Sequence, residues 1–332
     1  MGTPDFAVES LRRLVENNYN IVAVVTMPDK AVGRHHDTLQ ASPVKQYAVE
    51  QGIPVLQPER LKDEAFLEEL RSYKADLQVV VAFRMLPEVV WAMPSMGTFN
   101  LHAALLPQYR GAAPINWAVI NGETTTGVTT FFLDHDIDTG RIIHRVPVPI
   151  ADTDTAGDVH DRLMTIGADL VLQTVRDIEA GAVETIAQED LRPVLGDSVA
   201  ELRPAPKIFK ETCCIPWNSL TVKSAYDFIR GLSPYPAAWT TLCTLDGREQ
   251  VMKVYASEKE EIGPNETQPL TEDQETGLPL LTDGRTYLKV ALPGGYLRLT
   301  SIQLAGKKRM PVADFLRGAH LEGASLKVEE GQ

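Results

Sequence analysis

Apolar residues in the first part of the chain follow two periods in turn. Phe6, Ala7, Leu11 and Leu14 recur at helical spacing and predict an amphipathic helix from about Asp5 to Glu16. Ile21-Val22-Ala23-Val24-Val25 is a continuous β-branched run, the pattern of a strand buried on both faces. A polar segment, Met27 to Ala41, then leads to a helix from about Ser42 to Gln51, with Pro43 suited to its first turn. Short apolar strands at Val55-Leu56, Leu77 to Ala82 and Thr98 to Leu101 alternate with helical stretches near Asp63 to Ser72 and Pro87 to Ala92. Val128 to Leu133 and Ile142 to Val148 read as further strands, and a helix from about Ala156 to Ala180 closes the series. Such alternation predicts an α/β fold with a doubly wound, mostly parallel, Rossmann-like sheet.

Beyond about Ala187 the pattern loosens into a Pro-containing connection, and past Pro206 it changes. Val251 to Tyr255, Thr286 to Ala291 and Tyr296 to Leu304 are short strands between Gly/Pro turns, with one helix at Ser224 to Gly231. They predict a small C-terminal OB-like β-barrel, a class that often binds oligonucleotides. The expected division is a first domain at 1–186, a linker at 187–206 and a second domain at 207–332. Ser257 to Pro279, polar and acidic, reads as a loop or insertion.

Composition narrows the classes. The 332 residues are 44% apolar and 23% charged, which excludes a disordered or collagen-like chain. The longest apolar run, Leu77 to Phe83, is far short of a bilayer span. Cys213, Cys214 and Cys243 offer neither a disulfide framework nor a tetrahedral zinc site, and no secretory signal opens the chain, so the expected setting is cytoplasmic, with no membrane partner and a monomeric chain. The net charge of −13 argues at first against a nucleic-acid partner. Its distribution changes that reading. Residues 1–200 hold 16 basic against 28 acidic residues, and residues 201–332 hold 16 against 17. Ser257 to Glu275 alone carries seven acids and one Lys, which leaves the rest of the second half at +5.

Two clusters carry candidate chemistry. Asn100 and His102, two apart at a strand end, share one face, and the carboxyl ends of strands border the ligand crevice of an open α/β sheet. They are either an acid/base pair or a strand-end cap beside a satisfied histidine. The second cluster, Asp134-His135-Asp136-Ile137-Asp138-Thr139-Gly140, is either a hard-cation site or a turn whose Asp side chains bond local N–H groups. A carboxylate from it that reaches the same crevice could orient His102. Asp138-Thr139-Gly140 also spells the aspartic-protease triplet, but only once and outside an all-β chain. Gly33-Arg34-His35-His36 reads as a substrate-contacting loop, and Gly306-Lys307-Lys308-Arg309 as either a solvated turn or a phosphate contact.

Together these residues resemble the methionyl-tRNA formyltransferase family of folate-dependent formyltransferases. The resemblance runs through Gly2-Thr3-Pro4-Asp5-Phe6-Ala7, Pro28-Asp29-Lys30, Gly33-Arg34, Ser42-Pro43-Val44-Lys45, Asn100-Leu101-His102, Leu105-Leu106-Pro107, Arg110-Gly111-Ala112-Ala113-Pro114-Ile115 and Asp138-Thr139-Gly140. It continues in Ile229 to Trp239 and Ala305-Gly306-Lys307-Lys308. It implies formyl transfer from 10-formyltetrahydrofolate to the α-amino group of methionyl initiator tRNA, with Asn100, His102 and Asp138 catalytic and no metal. It implies folate contacts by the backbone of Ala104, Leu105, Leu106 and Pro107, with Ala104 where the family often has Ser, and tRNA contacts by Arg34, Lys307 and Lys308. The alternative keeps the chemistry but moves the formyl group to a small-molecule amine such as an amino-sugar nucleotide. The family also begins with an apolar strand before Gly-Thr-Pro. A central apolar strand is therefore expected ahead of Met1, in a chain about ten residues longer in which Met1 is an internal methionine.

Overall fold

The computed structural model describes residues 1–32, 38–191, 201–262 and 277–328. They form two units, one of Met1–Pro114, Thr125–Pro149 and His160–Pro206, the other of Ile115–Thr124, Ile150–Val159 and Lys207–Gln332.

In the first unit α1 (Asp5–Glu16) buries Phe6, Ala7, Ser10 and Leu14, one stripe at i, i+4, i+8 spacing. β1 (Val24–Val25) follows, where the sequence predicts a five-residue strand, because its parallel partner β4 (Val55–Leu56) offers only two ladder positions. The polar segment expected as a loop contains an antiparallel pair, β2 (Lys30–Val32) with β3 (Thr38–Gln40), whose three-residue strands are too short to show a period. Between β3 and β4 lies α2 (Pro43–Glu50), capped by Ser42, whose side chain accepts from the Lys45 N–H. α3 (Glu64–Ser72) buries Phe66, Leu67 and Leu70.

Four strands make a second ladder in the order β5 (Gln78–Val81), β6 (Thr98–His102), β7 (Thr125–Phe132), β8 (Ile142–Pro149). The β5 and β6 pair is parallel, and β7 and β8 join it antiparallel. Between β5 and β6 lies the single turn α4 (Glu88–Trp91), and α5 (Pro114–Ile120) follows β6 with Pro114 at its first position. The long helix α6 (Ala156–Glu179) has Thr174 bonded to Thr130 on β7 at 2.9 Å.

The sequence leads one to expect a strand between the two ladders of this unit. There the backbone of Met1 and Gly2 forms the bridge: the Gly2 N–H donates to Val25 O at 3.0 Å, and the Val81 N–H to Met1 O at 2.9 Å. The Met1 amine donates to Val79 O at 2.7 Å. Gly2 has no room for a side chain, since a Cβ would lie 2.5 Å from that of Ala7. Beside this bridge Met1, Leu11, Leu14, Val24, Val44 and Val79 help to line a cavity of about 50 Å³.

The second unit is built on an antiparallel, barrel-like sheet of β9 (Ala238–Cys243), β10 (Glu249–Glu261), β11 (Leu278–Pro279), β12 (Leu281–Thr282), β13 (Leu288–Leu292), β14 (Gly295–Leu304), β15 (Met310–Pro311) and β16 (Ser325–Leu326). Its order is β11-β16-β9-β10-β14-β13-β12, with β15 on β14. α7 (Val222–Gly231) and α8 (Val312–Leu316) pack on its core of Ile215, Ile229, Met252, Leu288, Leu297 and Ile302. Ser257–Glu261, expected as part of a loop, is strand. It pairs with β14, and two of its acids are matched by cations, Glu260 with Lys289 at 2.8 Å and Glu258 with Arg298 at 3.8 Å. The remainder of the acidic stretch, 263–276, lies outside the described residues.

Candidate active site

β6 fixes the first pair. In its register with β7, Asn100 faces Phe131 and His102 faces Thr129, so the period of two puts both side chains on one face of the ladder. Asn100 is half-buried, and its Oδ1 is buried without a hydrogen-bond partner. An amide used as a cap would have that oxygen bonded. No capping bond is made by that oxygen among the described residues.

His102 is 6% exposed, and its Nε2 lies 2.8 Å from Tyr109 O. A carbonyl only accepts, so Nε2 carries the hydrogen, and in the neutral ring Nδ1 carries none. Tyr109 turns its carbonyl inward from a left-handed backbone conformation, φ 59°. Nδ1 points to Asp138, whose Oδ2 is 3.7 Å away, beyond a direct hydrogen bond. The histidine's tautomer is thus set by Tyr109 and not, as a carboxylate partner would suggest, by Asp138.

Asp138 sits in the loop between β7 and β8, also left-handed at φ 55°. Its Oδ2 accepts the Gly111 N–H at 2.9 Å. Gly111 is required by its surroundings, with φ 129° and a Cβ position only 2.4 Å from Ala205 O. Of the three aspartates in this cluster, only Asp138 reaches the histidine. The described residues hold no group of three His, Cys, Asp or Glu side chains able to bind a metal ion.

The loop from Ala104 to Pro107 is anchored from below by Thr129, which donates to Ala104 O at 2.6 Å and accepts the Leu106 N–H at 3.2 Å. Ala104 and Leu106 are fully buried, and Leu106 packs with Phe131 and Ile142. Part of the main chain expected to contact folate is thereby committed inward. Leu105 is the half-buried member, and it rests against Gly127, where a Cβ would lie 2.5 Å from its side chain.

Sequence reasoning missed Gln188, Thr129 and Tyr109. The segment expected as a connection supplies Gln188 and also brackets the site, with the Tyr109 N–H donating to Arg203 O at 2.7 Å and the Ala112 N–H to Ala205 O at 2.7 Å. Arg34 lies outside the described residues. Lys307 and Lys308 belong to the second unit, exposed on the turn between β14 and β15, with no carboxylate partner among the described residues. The adjoining Arg309 is held down, bonded to Ser301 and stacked over Tyr255.

No helix of the described residues is long and apolar enough to cross a membrane. The family model described as formyl transferase matches residues 1–175, and that described as formyl transferase, C-terminal domain, matches 207–320. The methionyl-tRNA formyltransferase of Parabacteroides distasonis is 62% identical over 318 residues, 96% of this chain and 94% of that protein. That of Bacteroides thetaiotaomicron is 61% identical over 97% of this chain and 95% of its own length. Among solved structures, the sugar 3N-formyl transferase WlaRD matches with a TM-score of 0.58 at 18% identity, over 92% of this chain and 97% of its own, a likeness of fold alone. With both family models matched in chain order, and relatives above 60% identity along nearly its whole length, the chain belongs to the formyl transferase family.

Proposed function

We propose that this protein moves a formyl group from 10-formyltetrahydrofolate to the α-amino group of methionine carried by initiator tRNA, so serving translation initiation. The observation that carries this reading is the placement of the Asn100 amide on the same sheet face as a histidine whose Nδ1 is turned to a carboxylate. Those residues fit a donor with a small carbonyl group, which the folate supplies as an activated formyl group on a nitrogen that can leave.

The attacking amine needs no metal to activate it, since an α-amino group has a pKa of about 7.7–8.0 and is partly neutral near pH 7. The C–N bond forms at the formyl carbon, the bond from that carbon to the folate nitrogen breaks, and the proton lost by the amine ends on the departing nitrogen. Asn100 donates its amide N–H to the formyl oxygen as negative charge develops there. His102 holds the proton in transit at Nδ1, because Nε2 is committed to Tyr109 O. Asp138, too far for a direct bond, orients an intervening water that relays the amine's proton to His102 Nδ1, and the field of its carboxylate stabilises the imidazolium that forms. The loop Ala104 to Pro107 positions the folate, Leu105 presenting the accessible surface. Lys307 and Lys308, with Arg34, attract the phosphates of tRNA.

Incubation with 10-formyltetrahydrofolate and charged initiator tRNA, beside uncharged tRNA and an amino-sugar nucleotide, tests the reading. Formylation of the aminoacyl-tRNA alone is expected. Formylation of the sugar nucleotide alone would overturn the acceptor.

A further inference from the structure

We infer that Gln188 is a positioning residue for the formyl-transfer reaction, closing a hydrogen-bonded ring that holds the Asp138 carboxylate at its distance from His102. The inference rests on the function proposed above. Gln188 opens a 3-10 turn, Gln188–Leu191, and is 1% exposed. A glutamine amide can accept two hydrogen bonds and donate two, and all four are made. Its Oε1 accepts from Arg110 Nε at 3.0 Å and Nη2 at 2.6 Å. Its Nε2 donates to Asp138 O at 2.8 Å and to Gly140 O at 2.9 Å. Guanidinium groups only donate and carbonyls only accept, so one orientation of the amide satisfies the set.

The four bonds are not a local cap. They join the loop after β6 to the loop between β7 and β8, 78 and 50 residues away in sequence. The ring then closes on itself: Gln188 grips Arg110, the next residue Gly111 donates its N–H to Asp138 Oδ2, and Asp138 O returns to Gln188. Asp138 is therefore held at both its carbonyl and its carboxylate while its backbone is left-handed, φ 55°. Gly140 is fixed in the same way, since a Cβ there would fall 1.7 Å from Phe132 O. Neither loop is in regular structure where it meets the other. The separation of His102 Nδ1 from the carboxylate is set by this ring and not by a direct bond.

Two substitutions separate the parts of the ring. Gln188→Glu keeps an acceptor for Arg110 but removes both donors, opening the ring only at Asp138 and Gly140. Gln188→Ala opens it on both sides. In the whole enzyme both variants should lose kcat by about 10- to 100-fold, the cost of misplacing a catalytic group by about 1 Å, with KM for donor and tRNA within about twofold of wild type. In an Asp138→Asn background, Gln188→Glu should cost less than about threefold more, because the two residues act as one unit. Equal losses with and without Asp138, or a loss carried by KM, would overturn the inference. Amide hydrogen exchange at Gly111 gives a reading that needs no substrate. Exchange should quicken at least about tenfold in both variants while protection along β6 and β7 is kept. Unchanged exchange at Gly111 in a folded Gln188→Glu protein would refute the ring even if kcat falls. A wild-type enzyme that formylates no aminoacyl-tRNA would refute the proposed function, and the exchange result would still decide this one.

Discussion

In a protein whose first residue is Met1, burial of its amine makes stability depend on pH in a way that a single modification can isolate. The amino group is enclosed between the two ladders of the first unit and donates to Val79 O, and desolvation pushes its pKa down from 8.0 to about 5. In the unfolded chain the same group titrates near 8.0, so between pH 5 and 8 the unfolded state binds one proton that the folded state does not. Stability therefore rises with pH across that window, by about 1.4 kcal/mol per unit, and the group's contribution, fully present above pH 8, is lost as pH falls to 5. Over three units the change is about 4 kcal/mol, a large fraction of the 5–15 kcal/mol typical of a domain. Enzymatic acetylation of the amine removes the ionisation, and any steric cost of the acetyl group is the same at every pH. Urea unfolding of the free and acetylated proteins at pH 5, 6, 7 and 8 supplies the comparison. The difference between their stabilities should widen steadily as pH falls, whatever the histidines contribute to both. Parallel curves would show that the amine is solvated in the folded protein and not enclosed between the ladders.

Asn100→Ala should lower kcat by about 10²–10³-fold, the usual loss of one oxyanion donor, with little change in KM or in melting temperature; full turnover in single-turnover assays would remove its role. Replacing Lys307 and Lys308 together by Ala should reduce the log-log slope of tRNA affinity against salt by about 1.4 to 1.8, two phosphate contacts at 0.7–0.9 each, in filter-binding titrations, while leaving folate affinity unchanged. In the second unit, Asp227 is buried and paired at 2.7 Å with both Arg230 and Lys223. Asp227→Asn strands the buried guanidinium, and a loss of about 3–5 kcal/mol in urea unfolding is expected; a change under 1 kcal/mol would mean that Ala151 and Asp154 carbonyls alone satisfy Arg230.

What could be read from the chain alone depended on how local the physics was. α1 was legible to the residue because its stripe and its Pro4 entrance lie within one window, and α2 because Ser42 and Pro43 are a cap and a first-turn proline side by side. β2 and β3 were not, since three residues each are too few to show a period, and the far end of β10 was not, since Glu258 and Glu260 become acceptable strand residues only beside Arg298 and Lys289. The site divides in the same way. Asn100 and His102 share a face by the period of a strand, so two residues of sequence place them together. That Asp138 joins them is a long-range fact which only resemblance could supply. Tyr109, Thr129 and Gln188 were invisible because each acts through hydrogen bonds to main-chain carbonyls or amides, which every residue possesses and no motif spells. Residues that perform chemistry must be of particular types, and so leave a pattern. Those that hold them in place bond to main chain that the fold brings near, which leaves no pattern in the sequence even where, as at Gln188, the side chain must be an amide. The segment 187–206 shows the consequence: by composition it is a connection, yet its Gln188 saturates four hydrogen bonds and ties together the loops that carry Arg110 and Asp138.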